Sequence, residues 1–178
     1  MPTEILNPRT GQTMRFLLTA ADTEGALLRI ETVNPPNDTA EPMHVHPLQE
    51  TRAEMLAGTL LFVVDGEERR IRAGEAITIP AGVPHRFAND GDEDAVAIQE
   101  ARPALRTQEF FETYFELARR GELNAAGMPS LLRLAVLTPR FADEIRVVRP
   151  PWAVQRALFA LLRPLARLRG VSPDLASS

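Results

Sequence analysis

The chain has neither cysteine nor lysine among its 178 residues. Without thiols, disulfides and thiolate-held metals are excluded, and a secreted disulfide scaffold with them. Without lysine there is no amine nucleophile and no Schiff-base chemistry; all 20 basic residues are arginine. Aromatic residues make up only 6% of the chain, with Trp152 the one tryptophan and Tyr114 the one tyrosine. No uncharged apolar run approaches the roughly eighteen residues a bilayer span needs. The opening Met1-Pro2-Thr3-Glu4-Ile5-Leu6 lacks the basic and apolar regions of a signal peptide. A cytoplasmic location is the expectation.

What is present divides in two. Residues 1–100 hold 8 arginines against 17 acidic residues, whereas 101–178 hold 12 against 7. An acidic N-terminal part repels phosphates, so no nucleic-acid partner is expected. A boundary falls near Arg102-Pro103. Before it, short apolar and alternating runs recur between turn signals. They include Arg15–Ala21, Ala26–Val33, Thr59–Val64, Glu67–Arg72, Ala76–Pro80, Pro84–Ala88 and Ala95–Ala101. Asp65-Gly66 between two of them is a strong hairpin signal. That spacing predicts an antiparallel sandwich or barrel over residues 1–102.

After the boundary the period becomes helical. Thr107 is the expected N-cap of a helix that puts Phe110, Phe111, Tyr114, Phe115, Leu117 and Ala118 on one face and stops at Gly121. Pro129 opens a second helix to Leu137, and Pro150-Pro151 a third from Trp152 to about Arg169, with a kink expected at Pro164. In the third, Trp152, Leu158, Leu161, Leu162, Leu165 and Leu168 read as a core-facing stripe, with Arg156, Arg163, Arg167 and Arg169 facing water. A basic amphipathic helix on an anionic membrane surface is the less favoured reading. Residues 103–178 are therefore expected to form a helical extension packed on the barrel or on a dimer partner. The apolar strand Leu60–Val64 and the aromatic helix face both need cover, which suggests a homodimer.

All three histidines lie between Met43 and Asn89. His44 and His46 alternate as on a strand, so their rings share a face. His85 follows a Pro/Gly turn about forty residues later. Three imidazoles converging in a β-structure point to a metal. Around them the residues resemble the cupin superfamily, in the form of a small bacterial single-domain cupin with a helical tail. Gly74, Pro80, Gly82, His85 and Asn89 match every fixed position of the second cupin motif, G-x5-P-x-G-x2-H-x3-N. His44, His46 and Gly58 match the first, while Asp38 stands where its leading glycine is usual. Pro80, Gly82 and Asn89 are read as turn-formers.

The resemblance implies an antiparallel β-barrel or jelly roll holding one divalent transition metal (Fe, Zn, Mn, Ni or Cu). His44, His46 and His85 are its ligands, with Glu50 as a fourth. By count the glutamate slot is Thr51, and a one-residue shift turns a strand side chain to the other face. A bulge after Pro47 would bring Glu50 inward. Three histidines alone resemble thiol-dioxygenase and zinc cupins; the set with glutamate resembles quercetinase-like dioxygenases. The expected function is a metal-dependent oxygenase of a small organic molecule. The alternatives are a non-redox Zn or Mn cyclase or isomerase, and a non-catalytic small-molecule-binding cupin. Met55, Phe62 and Phe87 are expected to line the interior, with Gln99 and Glu100 within its reach.

Overall fold

The computed structural model describes residues 3–37 and 41–173; Asp38, at the glycine slot of the first motif, lies outside them. Among the described residues, eleven strands and three helices follow one another. They are β1 (Glu4–Leu6), β2 (Thr13–Leu18), β3 (Leu28–Asn34), β4 (His44–Val45), β5 (Glu50–Ala57), β6 (Thr59–Val64), β7 (Glu67–Arg72), β8 (Ala76–Ile79), β9 (His85–Ala88), β10 (Ala95–Arg102), α1 (Thr107–Arg119), α2 (Leu131–Leu137), β11 (Arg146–Val147) and α3 (Trp152–Leu168). The strands form two antiparallel sheets, ordered β1-β2-β3-β10-β5-β8 and β11-β4-β9-β6-β7. This is the jelly-roll architecture that the short, evenly spaced strands predict.

Alternation along each strand makes the interior. On β3, Leu28, Ile30, Thr32 and Asn34 are buried while the residues between them are half-exposed. β10 lies opposite with Ala101, Gln99, Ala97 and Ala95 in register with those four. Between the sheets, Met55, Leu60, Phe62, Ile77, Ile79 and Ala97 form the main core. β7 (Glu-Glu-Arg-Arg-Ile-Arg) is almost wholly exposed at the end of its sheet, and its charges discourage pairing with another chain. Asp65 and Gly66 both have positive φ, the type I′ geometry that the Asp-Gly pair favours. Gly58 has no substitute: at φ +70° a Cβ there would lie 2.7 Å from the Asp94 carbonyl oxygen.

The helical part differs from its expectation in three places. α1 is capped by Arg106, without a side-chain bond, and Thr107 instead accepts a hydrogen bond from the buried Gln49 amide, 2.8 Å. Its aromatic face is covered within the chain. Phe115, Phe111 and Tyr114 pack against Met14, Phe16, Leu28 and Ile30 at one end of the barrel, and Phe110 against Phe141. That face therefore offers no reason for a dimer. The second helix starts later than Pro129, because Ser130 accepts the Arg133 N–H as its N-cap.

α3 is the larger correction. It runs through Pro164 and buries Gln155, Phe159 and Ala166, not the leucine stripe. Leu158, Leu161, Leu165 and Leu168 are exposed. The buried face wins because small Ala166 admits close packing on α2 and the end of α1, and because the Gln155 amide is held by the Val147 and Pro150 carbonyls. Between α2 and α3, β11 joins the barrel: Arg146 and Val147 pair with Val45 and His44. No periodicity marks so short a strand. Among the described residues no helix is long and apolar enough to cross a membrane.

Candidate metal centre

β4 and β9 are neighbours, and His44 stands directly opposite His85 in their register. His46 follows two residues after His44, on the same face. Its carbonyl accepts the Gly82 N–H at 2.8 Å, which ties the end of β4 to the Pro80–Gly82 turn. Asn89 clips the far side of the motif: its amide donates to the Asn34 and Glu93 carbonyls, and its oxygen accepts the Gly91 N–H. It is a turn-former, as its place in the motif suggests. The result is three rings with centroids 4.5–5.1 Å apart. One ring nitrogen of each lies within 4.8 Å of the other two.

The hydrogen bonds fix which nitrogens are available. Nδ1 of His44 contacts the Pro42 carbonyl at 2.9 Å, Nδ1 of His85 the Val83 carbonyl at 2.9 Å, and Nδ1 of His46 the Glu144 carbonyl at 2.6 Å. A carbonyl only accepts, so each Nδ1 carries the proton and each Nε2 keeps its lone pair. Burial holds the rings neutral. It lowers His44, takes His46 to about 3 and His85 to about 4, with repulsion from the neighbouring rings adding to the last two. Three neutral imidazoles with free Nε2 atoms and backbone-anchored Nδ1 atoms fit a divalent metal in both ligand chemistry and outer-shell support.

This arrangement makes stability pH-dependent in the metal-free protein. An unfolded chain protonates each histidine near 6.5, well above the folded values of His46 and His85. Through these rings the unfolded state binds more protons between those limits, so their contribution to stability is full above about pH 6.5 and falls as pH drops toward 4; the Glu41 carboxyl, raised to about 8, works in the opposite sense as pH rises toward that value. Urea midpoints measured in chelator from pH 6.5 to 4.5 should fall steadily, and a His46→Gln variant should show a shallower decline. An unchanged midpoint across that range would mean that the rings are not buried neutral.

The structure does not bring Glu50 to this cluster. It is exposed at the start of β5, opposite Arg102, where the ladder is regular from Glu50 to Met55 and the one register shift lies beyond, at Val96 and Ala97. Thr51, one residue on, lines the cavity with Ala53. The carboxylate that does approach is Glu41, with Oε2 3.7 Å from His44 Nδ1. It borders the open cavity but protein surrounds it, and this desolvation pushes its pKa up to about 8. Sequence reasoning passed over Glu41; the available signal was an acid three residues before the first histidine. It also passed over Glu144, ninety-eight residues from its contact with His46.

The cluster opens into a cavity of about 340 Å³. Its walls include Phe62, Phe87, Phe110, Phe111 and Tyr114, with Gln99 and Glu100 also on the lining. That size suits a small organic molecule; the exposed lining is mainly apolar, with polar side chains such as Asn34, Thr51, Gln99 and Glu100 among it. Arg86, next to His85, is exposed.

Comparison with known proteins agrees with the geometry. The Cupin_2 "Cupin domain" family model matches residues 31–99. A predicted oxalate decarboxylase from Thermotoga maritima superimposes with a TM-score of 0.50 at 24% identity, covering 58% of this chain and 92% of that one. The chain carries a small cupin domain. Among curated proteins, the cupin resembles "Polyketide synthase CurC" of Streptomyces cyaneus, at 35% identity over 50% of the chain and 58% of the relative. It also resembles "Tetracenomycin polyketide synthase protein TcmJ" of Streptomyces glaucescens, at 33% over 53% and 64%. The chain thus spans about three-fifths of the length of these relatives.

Proposed function

We propose that this cupin is a non-redox, metal-dependent enzyme that closes or rearranges a carbonyl-rich, polyketide-like small molecule. The observation that carries the reading is the triad of neutral histidines, with ligand nitrogens within 4.8 Å of one another, on the wall of a largely apolar cavity. The names of the curated relatives support the substrate class and favour the cyclase alternative over the oxygenase expected from sequence. His44, His46 and His85 would hold the metal, which supplies Lewis acidity to polarise a carbonyl.

The other roles belong to the chain itself. Phe62, Phe87, Phe110 and Phe111 exclude water and give a flat or folded carbon chain an apolar bed. Glu41 lies on the cavity lining with Oε2 3.7 Å from His44 Nδ1, and desolvation raises its carboxyl to about 8. Positive charge placed at the histidines draws that pKa down, so the same carboxyl serves as base for a C–H flanked by carbonyls. Joining such a carbon to a carbonyl moves protons and forms one bond, with no change of oxidation state. The Tyr114 hydroxyl is already engaged, donating to the Gly127 carbonyl at 2.6 Å.

The test is turnover of a poly-β-ketone under strict anaerobiosis, with and without chelation. Metal-dependent ring closure without oxygen uptake is the expected result. Oxygen consumption in proportion to product would replace this reading with the oxygenase one.

A further inference from the structure

The exposed face of α3 has a pattern its own chain does not use. Val154, Leu158, Leu161, Leu165 and Leu168 are spaced four, three, four, three, and all are exposed, Leu161 at 78% and Leu168 at 86%. Such spacing is the seam of a helix that pairs with another helix, not a scatter of surface leucines. It runs about 21 Å along the axis. Gln155, Phe159 and Ala166, which bind α3 to its own chain, lie on a neighbouring face. The seam is thus additional to the intramolecular packing.

From these observations we propose that α3 is a self-association surface, pairing antiparallel with α3 of a second copy about a two-fold axis near Leu161. Three features select that occupant. The seam carries no charge, so two identical copies meet without repulsion. Covering both stripes removes about 1,000 Å² from water, the size at which specific interfaces begin. Arg156, Arg163 and Arg167 lie roughly 160° around the helix from the seam, so both copies keep these charges in water when the stripes meet. Arg169 sets the direction. A parallel pair places the two Arg169 side chains at the same end, whereas an antiparallel pair centred on Leu161 separates them by about 24 Å.

The cysteine-free chain makes the test direct. Sedimentation equilibrium of the full chain should give a dimer. Leu161→Glu and Leu168→Glu should halve the sedimenting mass while leaving the far-ultraviolet circular dichroism unchanged. Under mild disulfide oxidation, Leu161→Cys should cross-link to itself. Leu168→Cys should not, yet a mixture of Val154→Cys and Leu168→Cys should. A monomeric wild-type chain with no Leu161→Cys product overturns the proposal. So does self-cross-linking of Leu168→Cys, which requires a parallel pair, or binding of a monomer to phosphatidylserine vesicles that Leu161→Glu abolishes.

Discussion

His85→Ala is expected to remove stoichiometric binding of a divalent metal. The affinity should fall by more than about 100-fold, beyond the range usual when only an outer-shell partner is lost. The reasoning rests on donor number. Of the described residues, only His44, His46 and His85 form a group that could hold an ion, and the exposed Glu50 cannot replace a missing ring. Two imidazoles cannot retain what three hold. Metal that binds the folded state raises its stability by mass action, about 2.7 kcal/mol at a hundredfold excess over Kd. The metal-induced rise in thermal midpoint should therefore vanish in His85→Ala and persist in Arg86→Ala, whose side chain faces solvent. Elemental analysis and calorimetric titration give the same information directly. An ion held equally well by His85→Ala would remove the centre from this site.

The second large effect concerns a residue that touches no ion. Glu144 is buried; its main-chain oxygen accepts from His46 Nδ1, and its side-chain Oε1 accepts the Arg106 N–H at 3.0 Å, just ahead of α1. One residue thus joins the second histidine to the helix that closes the barrel end. Glu144→Ala leaves the Arg106 N–H without its acceptor, which costs about 1–3 kcal/mol. It also frees the turn that orients the His46 ring, and metal affinity should fall about 10–100-fold. Glu144→Gln keeps an oxygen acceptor and should restore most of both. The cobalt(II) absorption spectrum separates positioning from general destabilisation. A changed ligand field in Glu144→Ala supports positioning. A lower melting temperature with an unchanged spectrum and affinity would reduce Glu144 to a structural residue.

Much of the barrel was legible because its signals are local. Alternation located β3 and β10, Asp65-Gly66 located the β6–β7 turn, and the Gly74–Asn89 spacing located the site. The parity argument at Glu50 and Thr51 was sound for the same reason: a regular strand has a period of two, and no bulge intervenes. What escaped depended on contacts distant in sequence. Glu41 gains its character from enclosure by other elements, and β11 is too short to show a period. On α3 the pattern was read correctly and its direction was not. A helix with apolar residues on two adjacent faces does not say which one its own chain will cover; Gln155 and Ala166 decided it through partners on β11, α1 and α2.

The short β11 strand has a consequence for how the protein is made. It lies beside β4 and delivers the Glu144 oxygen to a histidine synthesised almost a hundred residues earlier. While the ribosome is still translating the helices, the barrel walls can assemble but His46 has nothing to hold its ring. Capture of the proposed ion would therefore belong to the last stage of biogenesis, and a chain cut short before Glu144 would emerge with an unset lock.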